Sequence, residues 1–282
     1  MNEIEEYIQN QRETINKIIK SDLKEEFLSD YIHHQAAAYT VYPQGRRYRS
    51  MLSLELYQML GGDKPNFLKS IAGLEFIHHA SLIFDDLPCM DNSNKRKGKE
   101  TTHEKYGEDT AILTGLYLYN RGRKLIFKNA YQHLDNTDEV EMLVYDMTDK
   151  MLIGQETDLR KEKSNMELLD SMYKKNILFH LASVLPAYLL KNKENLRNLD
   201  MIGVNLSIGY QLFDDLRDYE GNPQITGKPV NVDSDNSINR LGPDTVKKSL
   251  IEKKKMIIDN LREIQPDSKL EQIIEYMLTK PS

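Results

Sequence analysis

The sequence predicts an all-α protein, and three observations carry that prediction. Apolar residues recur at helical spacing: Val140, Leu143, Val144, Met147 and Met151 form one stripe of a helix. No segment shows convincing two-residue alternation or a strand–helix–strand rhythm. Breaks are few and none resembles a flexible interdomain linker, so residues 1–282 are expected to form a single domain.

Taken in order, the elements are readable from their apolar faces and caps. Met1 to Gln11 is polar and acidic, unlike a signal peptide. Phe67, Leu68, Ile71, Leu74 and Leu82 mark a long apolar helix running into Asp85. Asn136 and Glu139 form a candidate capping pair before the Val140 stripe, and Ser164 with Glu167 repeats the device before Leu168 and Met172. Leu181 to Leu190 is too short to span a bilayer and contains Pro186. Ile202, Leu206, Gly209 and Phe213 mark a helix running into Asp214, and Val246, Leu250, Ile257, Leu261 and Ile264 mark a late one. The breaks are Tyr42 to Arg46, Asn92 to Lys99 and, longest, Gly221 to Pro243.

Composition narrows the function. A net charge of -6 argues against a nucleic-acid binder. The single cysteine, Cys89, allows neither an internal disulfide nor a cysteine-built zinc site. With no transmembrane segment, a soluble cytoplasmic protein is the expectation.

Two acidic constellations stand at the ends of apolar helices. The first runs from Ser81 through Asp85, Asp86 and Pro88 to Asp91; the second runs from Gly209 through Asp214 and Asp215 to Asp218. Asp214 and Asp218 share one helix face, and Asp215 borders it. Pro88 should stop or kink the first helix, and the bend could return Asp91 to Asp85. Two carboxylates about 4 Å apart repel by roughly 1 kcal/mol in water and by more at lower dielectric. Crowding them calls for a cation or a raised pKa. All-oxygen ligands suit Mg²⁺, which also takes phosphate oxygens. Basic runs supply the counterpart: Gly45-Arg46-Arg47-Tyr48-Arg49, Lys95-Arg96-Lys97, Lys174-Lys175 and Lys228. Arginine forks and lysine point charges both suit diphosphate.

With these motifs in this order, the sequence from about Tyr42 to Gly242 resembles the trans-isoprenyl diphosphate synthases of the farnesyl and geranylgeranyl diphosphate synthase kind. The resemblance implies an isoprenoid synthase helical bundle around a central cavity, usually a homodimer, with the two aspartate motifs facing each other across the cavity mouth. It implies three Mg²⁺ ions held by Asp85, Asp86 and Asp91 and by Asp214, Asp215 and Asp218. It makes Asp85, Asp86, Asp214 and Lys174 catalytic. Gly45, Arg46, Arg49 and His78 match positions that hold isopentenyl diphosphate, although the family commonly has Lys where Arg46 stands. Arg96 matches the arginine for the allylic diphosphate, and Lys97 one for the other substrate. Lys174, Lys175, Gln211 and Lys228 complete the substrate set, with Lys175 where the family has Thr. Gly154-Gln155 and Asp158-Leu159 match a further signature near the site. Two departures stand out: Leu116 replaces a usual Asp, and the stretch after Asp233 is shorter and lacks a Lys and a Thr-aromatic pair, with Arg240 the candidate substitute for the Lys.

The implied reaction is a prenyl transfer in which isopentenyl diphosphate extends an allylic diphosphate of C5, C10 or C15. Ala80 and Ser81, five and four residues before Asp85, lie about 6 to 7.5 Å deeper along the helix. Their small size favours a C20 product over the alternative C15, although Tyr117 or Tyr119 on a facing helix could floor the cavity. A terpene cyclase would leave Arg46, Arg49 and His78 without a second diphosphate. A non-catalytic synthase subunit is the alternative that the departures suggest. A di-iron bundle would need a second Glu-x-x-His beside Glu75 and His78, and an adjacent His-Asp phosphohydrolase would need His where Phe84 stands.

Overall fold

The long apolar stretch before Asp85 does form a helix, and it is apolar on nearly every side. In the computed structural model, which describes residues 2–42, 45–160, 164–220 and 236–279, Phe67, Ile71, Leu74, Phe76, Ile77, Ala80 and Ile83 are all buried. A helix apolar all round belongs in a core rather than on a surface. The described chain is helical throughout apart from one two-stranded hairpin, and it divides into two compact units, residues 1–141 and 142–282.

The first unit contains α1 (Glu3–Asp22), α2 (Ile32–Val41), α3 (Tyr48–Met59), α4 (Lys64–Asp85), β1 (Lys95–Arg96), β2 (Lys99–Glu100), α5 (Thr102–Tyr106) and α6 (Glu108–His133). Asn2 and Glu5 close α1 with a capping box. The principal packing in this unit sets α4 against α6. Gly73 and Gly122 meet there: a Cβ on either would lie 2.6 Å from the other's carbonyl oxygen. A Cβ on Gly115 of α6 would likewise lie 2.6 Å from the ring of Phe84. The hairpin is a local exception to the all-helical expectation; Lys97 and Gly98 form its tip with φ of 51° and 78°. Two left-handed residues match the twist of a two-residue hairpin.

The second unit contains most of α7 (Asp138–Asp158), then α8 (Asn165–Lys175), α9 (Leu178–Leu190), α10 (Leu196–Glu220), α11 (Ser237–Leu241), α12 (Pro243–Ile264) and α13 (Lys269–Met277). Ser164 and Glu167 form the expected capping box on α8. The expected Asn136–Glu139 pair shifts: Asn136 accepts the N–H of Asp138, and the carbonyl of Thr137 receives the N–H groups of Val140 and Glu141. α10 packs on α9 and α12, burying Ile202, Leu206 and Phe213 as their periodicity predicts. A Cβ on Gly203 would lie 2.6 Å from the Cα of His180, so the α9–α10 crossing requires glycine. Among the described residues, no helix is long and apolar enough to cross a membrane.

Candidate active site

In the first unit, the chain around Asp85 turns back on itself. α4 ends at Asp85, three residues before Pro88, as a residue without an N–H demands. The N–H of Asp91 donates to the carbonyl of Asp85 at 2.9 Å, and that of Ser93 to the carbonyl of Asp86 at 3.1 Å. The return of Asp91 to Asp85 is therefore made through the backbone. The hairpin then carries Arg96 onto Asp86. Arg96 Nε lies 3.0 and 2.9 Å from the two carboxylate oxygens, and Nη2 lies 2.7 Å from one of them. Asp86 is buried by this grip. Burial works against the charge of Arg96, but Asp86, Asp85 and Asp91 hold its pKa above the ordinary value.

The three arginines before α3 separate into two roles. Gly45 and Arg47 have φ of 115° and 60°, a tight left-handed approach to the helix. This turn sends Arg47, to which the sequence assigned no role, into the core. Its Nη1 lies 2.7 Å from Glu75, its Nη2 2.6 Å from the carbonyl of Val41 and its Nε 3.0 Å from Asn16. Ser50 adds a 2.7 Å hydrogen bond to Glu75. Burial pushes the Glu75 pKa up, but Arg47 and His79 bring it below the usual carboxylate value. Burial and Arg47 depress His79 to about 3.

Arg46 and Arg49 are left on the site side of that anchor. Arg46 lies over the Tyr48 ring at 5.7 Å, and its buried Nη1 has no hydrogen-bond partner. Arg49 Nη1 lies 3.3 Å from His78 Nε2. Burial first, then Arg49, His79, Lys97 and Arg96, hold the His78 pKa well below its ordinary value, so the ring is neutral and can accept from Arg49. Lys97, exposed over much of its surface, has its ammonium lowered to about 8 by desolvation; Glu75 opposes the shift, and Arg47, Arg46 and Arg96 reinforce it. The His78 ring thus feels the charges of Arg49, Arg96 and Lys97, and Lys97 feels those of Arg46 and Arg96, within this unit. A small cavity beside them is lined by Tyr39, His79, Leu82, Asp86, Arg96 and Lys97.

Farther along α4, Ala80 is buried, and the Ser81 hydroxyl donates to the His78 carbonyl at 2.9 Å. On α6, the Tyr117 hydroxyl donates to Glu26, which Arg121 also holds at 2.8 Å, and Tyr119 lies 5.3 Å from the Arg123 guanidinium. Leu116 is 48% exposed.

In the second unit, α10 runs unbroken through its aspartates to Glu220. Arg217, which the sequence reading overlooked, places Nη2 2.8 Å from Asp214 and 3.2 Å from Asp218. Asp215 turns away from this pair and is buried. It accepts from Gln211 at 2.8 Å and from the backbone and hydroxyl of Ser237 at 3.0 and 2.5 Å. Asn176 holds the other end of the Gln211 amide at 2.8 Å. Asp215, expected as a metal ligand, therefore ties α10 to the start of α11, and Gln211, expected at substrate, ties it to Asn176 at the end of α8. Lys174 pairs with Asp170 at 2.7 Å, and Lys175 with Asp158 at 2.5 Å. Gly154 packs so closely on Lys174 that a Cβ would clash there, which locates the Gly154–Asp158 signature beside the two lysines. Lys228 and Asp233 lie outside the described residues.

The donors suit a hard divalent cation. Every candidate ligand is a carboxylate oxygen. One cationic nitrogen already reaches both Asp214 and Asp218, so a single cation can be shared between them. Among the described residues, no three acidic, histidine or cysteine side chains converge on one point. The carboxylates alone therefore form no closed cage, and Mg²⁺ usually completes its octahedron with water and phosphate oxygens.

A mainly helical chain with paired aspartates and arginine and lysine side chains near them is suited to binding a diphosphate with a divalent metal. Residues 30–277 match the polyprenyl synthetase family. The chain belongs to that family of trans-isoprenyl diphosphate synthases and is a prenyltransferase. It is 29% identical to a farnesyl diphosphate synthase of Micrococcus luteus, over 98% of this chain and 99% of that one. It is 29% identical to the mitochondrial geranylgeranyl pyrophosphate synthase 6 of Arabidopsis thaliana, over 91% of this chain and 79% of that one. Its fold matches the geranylgeranyl pyrophosphate synthetase of the archaeon Geoglobus acetivorans with a TM-score of 0.81 at 22% identity, covering 98% and 99% of the two chains. Likewise it matches a Thermotoga maritima geranyltranstransferase with a TM-score of 0.78 at 22% identity, covering 95% and 99%.

Proposed function

We propose that this prenyltransferase condenses isopentenyl diphosphate head-to-tail with an allylic diphosphate, using magnesium, and that its product is C20 geranylgeranyl diphosphate. The observation that carries this reading is that the cations Arg49, Arg96 and Lys97 lie around the neutral His78 ring, with Arg46 near Lys97, in the unit that holds Asp85, Asp86 and Asp91. A one-diphosphate enzyme would have no use for so many donors. Arg46, Arg49, His78 and Lys97 bind and orient isopentenyl diphosphate, Arg96 takes the allylic diphosphate, and Lys174 and Lys228 serve as further diphosphate-binding cations. Asp85, Asp86, Asp91, Asp214, Asp215 and Asp218 would hold the metal, with Asp215 first releasing Ser237 or Gln211. When bound, magnesium supplies electrostatic stabilisation of the departing diphosphate. No side chain need act as a nucleophile, and the protein's work is alignment and exclusion of water.

The small Ala80 and Ser81 favour the longer product. The Tyr117 hydroxyl is engaged by Glu26, which draws it toward α1 and α2. Resemblance to a farnesyl diphosphate synthase over nearly the whole chain favours C15 as the second reading. Both units belong to one synthase domain, consistent with a family match that runs across them. The enzyme is a cytoplasmic homodimer in this reading, and exposed Ile112, Leu113 and Leu116 on α6 favour the dimer.

The test is incubation of purified protein with Mg²⁺, labelled isopentenyl diphosphate and C5, C10 or C15 allylic diphosphates, followed by chain-length analysis. Extension to C20 supports the proposal, and a product stopping at C15 supports the second reading. No extension from folded protein sinks both.

A further inference from the structure

Arg217 stands inside the second aspartate motif, between Asp215 and Asp218 in sequence, and its guanidinium bridges the motif's two exposed carboxylates. Nη2 lies 2.8 Å from Asp214 and 3.2 Å from Asp218. The side chains of Asp214 and Asp218 are 37% and 44% exposed, and that of Arg217 is 24% exposed. All three lie within about one turn of α10, at positions i, i+3 and i+4, where side chains on a helix meet. Asp215, the third carboxylate, faces Ser237 and Gln211 instead.

We propose that Arg217 is a resident counter-cation of this motif, a positioning residue that competes with divalent metal for Asp214 and Asp218. The inference rests on the proposed function, since it assigns these carboxylates to metal. A guanidinium nitrogen and a divalent ion cannot occupy the same space between the two oxygens. Binding metal therefore requires Arg217 to swing out. The released guanidinium suits a phosphate oxygen, which it can hold through two parallel hydrogen bonds. Metal arriving with diphosphate brings the arginine a phosphate partner; metal arriving alone brings none. The second motif should thus take metal weakly by itself and well together with diphosphate. The arginine also keeps the two carboxylates from repelling each other before the metal arrives.

The experiment measures Mn²⁺ uptake by electron paramagnetic resonance of the free ion, with and without inorganic diphosphate. Arg217→Leu should bind Mn²⁺ about fivefold more tightly than wild type without diphosphate, the scale of an exposed ion pair. Diphosphate should tighten binding by wild type more than by Arg217→Leu. Arg217→Lys, which keeps the charge, should stay near wild type. Adding Asp218→Asn to Arg217→Leu should abolish the gain. Arg217→Gln, with helicity checked by circular dichroism, serves if the Leu variant does not fold. Equal or weaker Mn²⁺ binding by the neutral variants, or a gain that survives Asp218→Asn, overturns the role of Arg217 alone. If neither wild type nor variant takes up Mn²⁺ with diphosphate present, the proposed function falls and this inference with it.

Discussion

Arg96 grips both carboxylate oxygens of Asp86, with its Nε 3.0 and 2.9 Å from them and its Nη2 2.7 Å from one. The two residues are ten apart, and the turn at Asp91 with the hairpin tip at Lys97 and Gly98 makes the meeting possible. A lysine offers one point charge where the arginine offers a fork. Arg96→Lys should lower kcat/KM by about tenfold or more, the loss of one oriented charge-assisted contact. Steady-state kinetics with a C10 primer checks this; an unchanged kcat/KM would remove Arg96 from the site.

The Arg47–Glu75 pair belongs to folding rather than to chemistry. Both side chains are buried, at 0% and 3% exposure, so removing one partner strands the other's charge. Glu75→Gln should cost about 3–5 kcal/mol. Urea unfolding measures it, and a loss below about 1 kcal/mol would contradict the burial argument.

Acid should weaken the fold through His79. In the folded state its pKa is about 3, against an ordinary 6.5, so the folded ring is neutral while the unfolded chain takes up a proton. Its contribution is complete above about pH 6.5 and is lost as the pH falls toward 3, at about 1.4 kcal/mol per pH unit. Glu75, also depressed, adds to the loss below the ordinary carboxylate range. His79→Gln should flatten the stability curve between pH 6.5 and 4.5, followed by chemical denaturation at each pH.

Lys97 should give diphosphate binding an alkaline limb. With its pKa near 8, the ammonium is charged below that pH and neutral above it. KM for isopentenyl diphosphate should rise above about pH 8, and Lys97→Arg, charged throughout, should remove the rise. A KM that climbs equally in both proteins would assign the limb to another group.

Product length should answer to Ala80. Because that position is buried, Ala80→Phe should shorten the product to C15 or less at a stability cost of about 1–3 kcal/mol from overpacking. Chromatography of the dephosphorylated prenols distinguishes shortening from simple loss of activity.

Much of this architecture is legible in the sequence because its signals are local. Apolar periodicity marks α4, α7, α10 and α12, Pro88 predicts the end of α4, and Ser164 with Glu167 predicts the start of α8. Other features depend on distant partners. Arg46, Arg47 and Arg49 are chemically alike as letters, and only the left-handed backbone at Arg47 sends that one inward. Asp215 reads like Asp214, yet its partner Ser237 lies 22 residues on. Asn136 and Glu139 have the spacing of a cap, but the helix begins at Asp138. Arg217 lies inside the motif, but only the folded helix shows its guanidinium set against Asp214 and Asp218.

The meeting of Gly73 and Gly122 turns the α4–α6 pair into a fixed gauge. With backbone against backbone there, the two helices can come no closer, and separating them would forfeit that packing. In the proposed reading, the depth open to a prenyl chain along α4 is then set by the side chains between that crossing and Asp85, a span of about three helical turns. A set of variants graded by volume at positions 77, 80, 81 and 84 should therefore read out prenyl length stepwise, as marks along a ruler whose zero does not move.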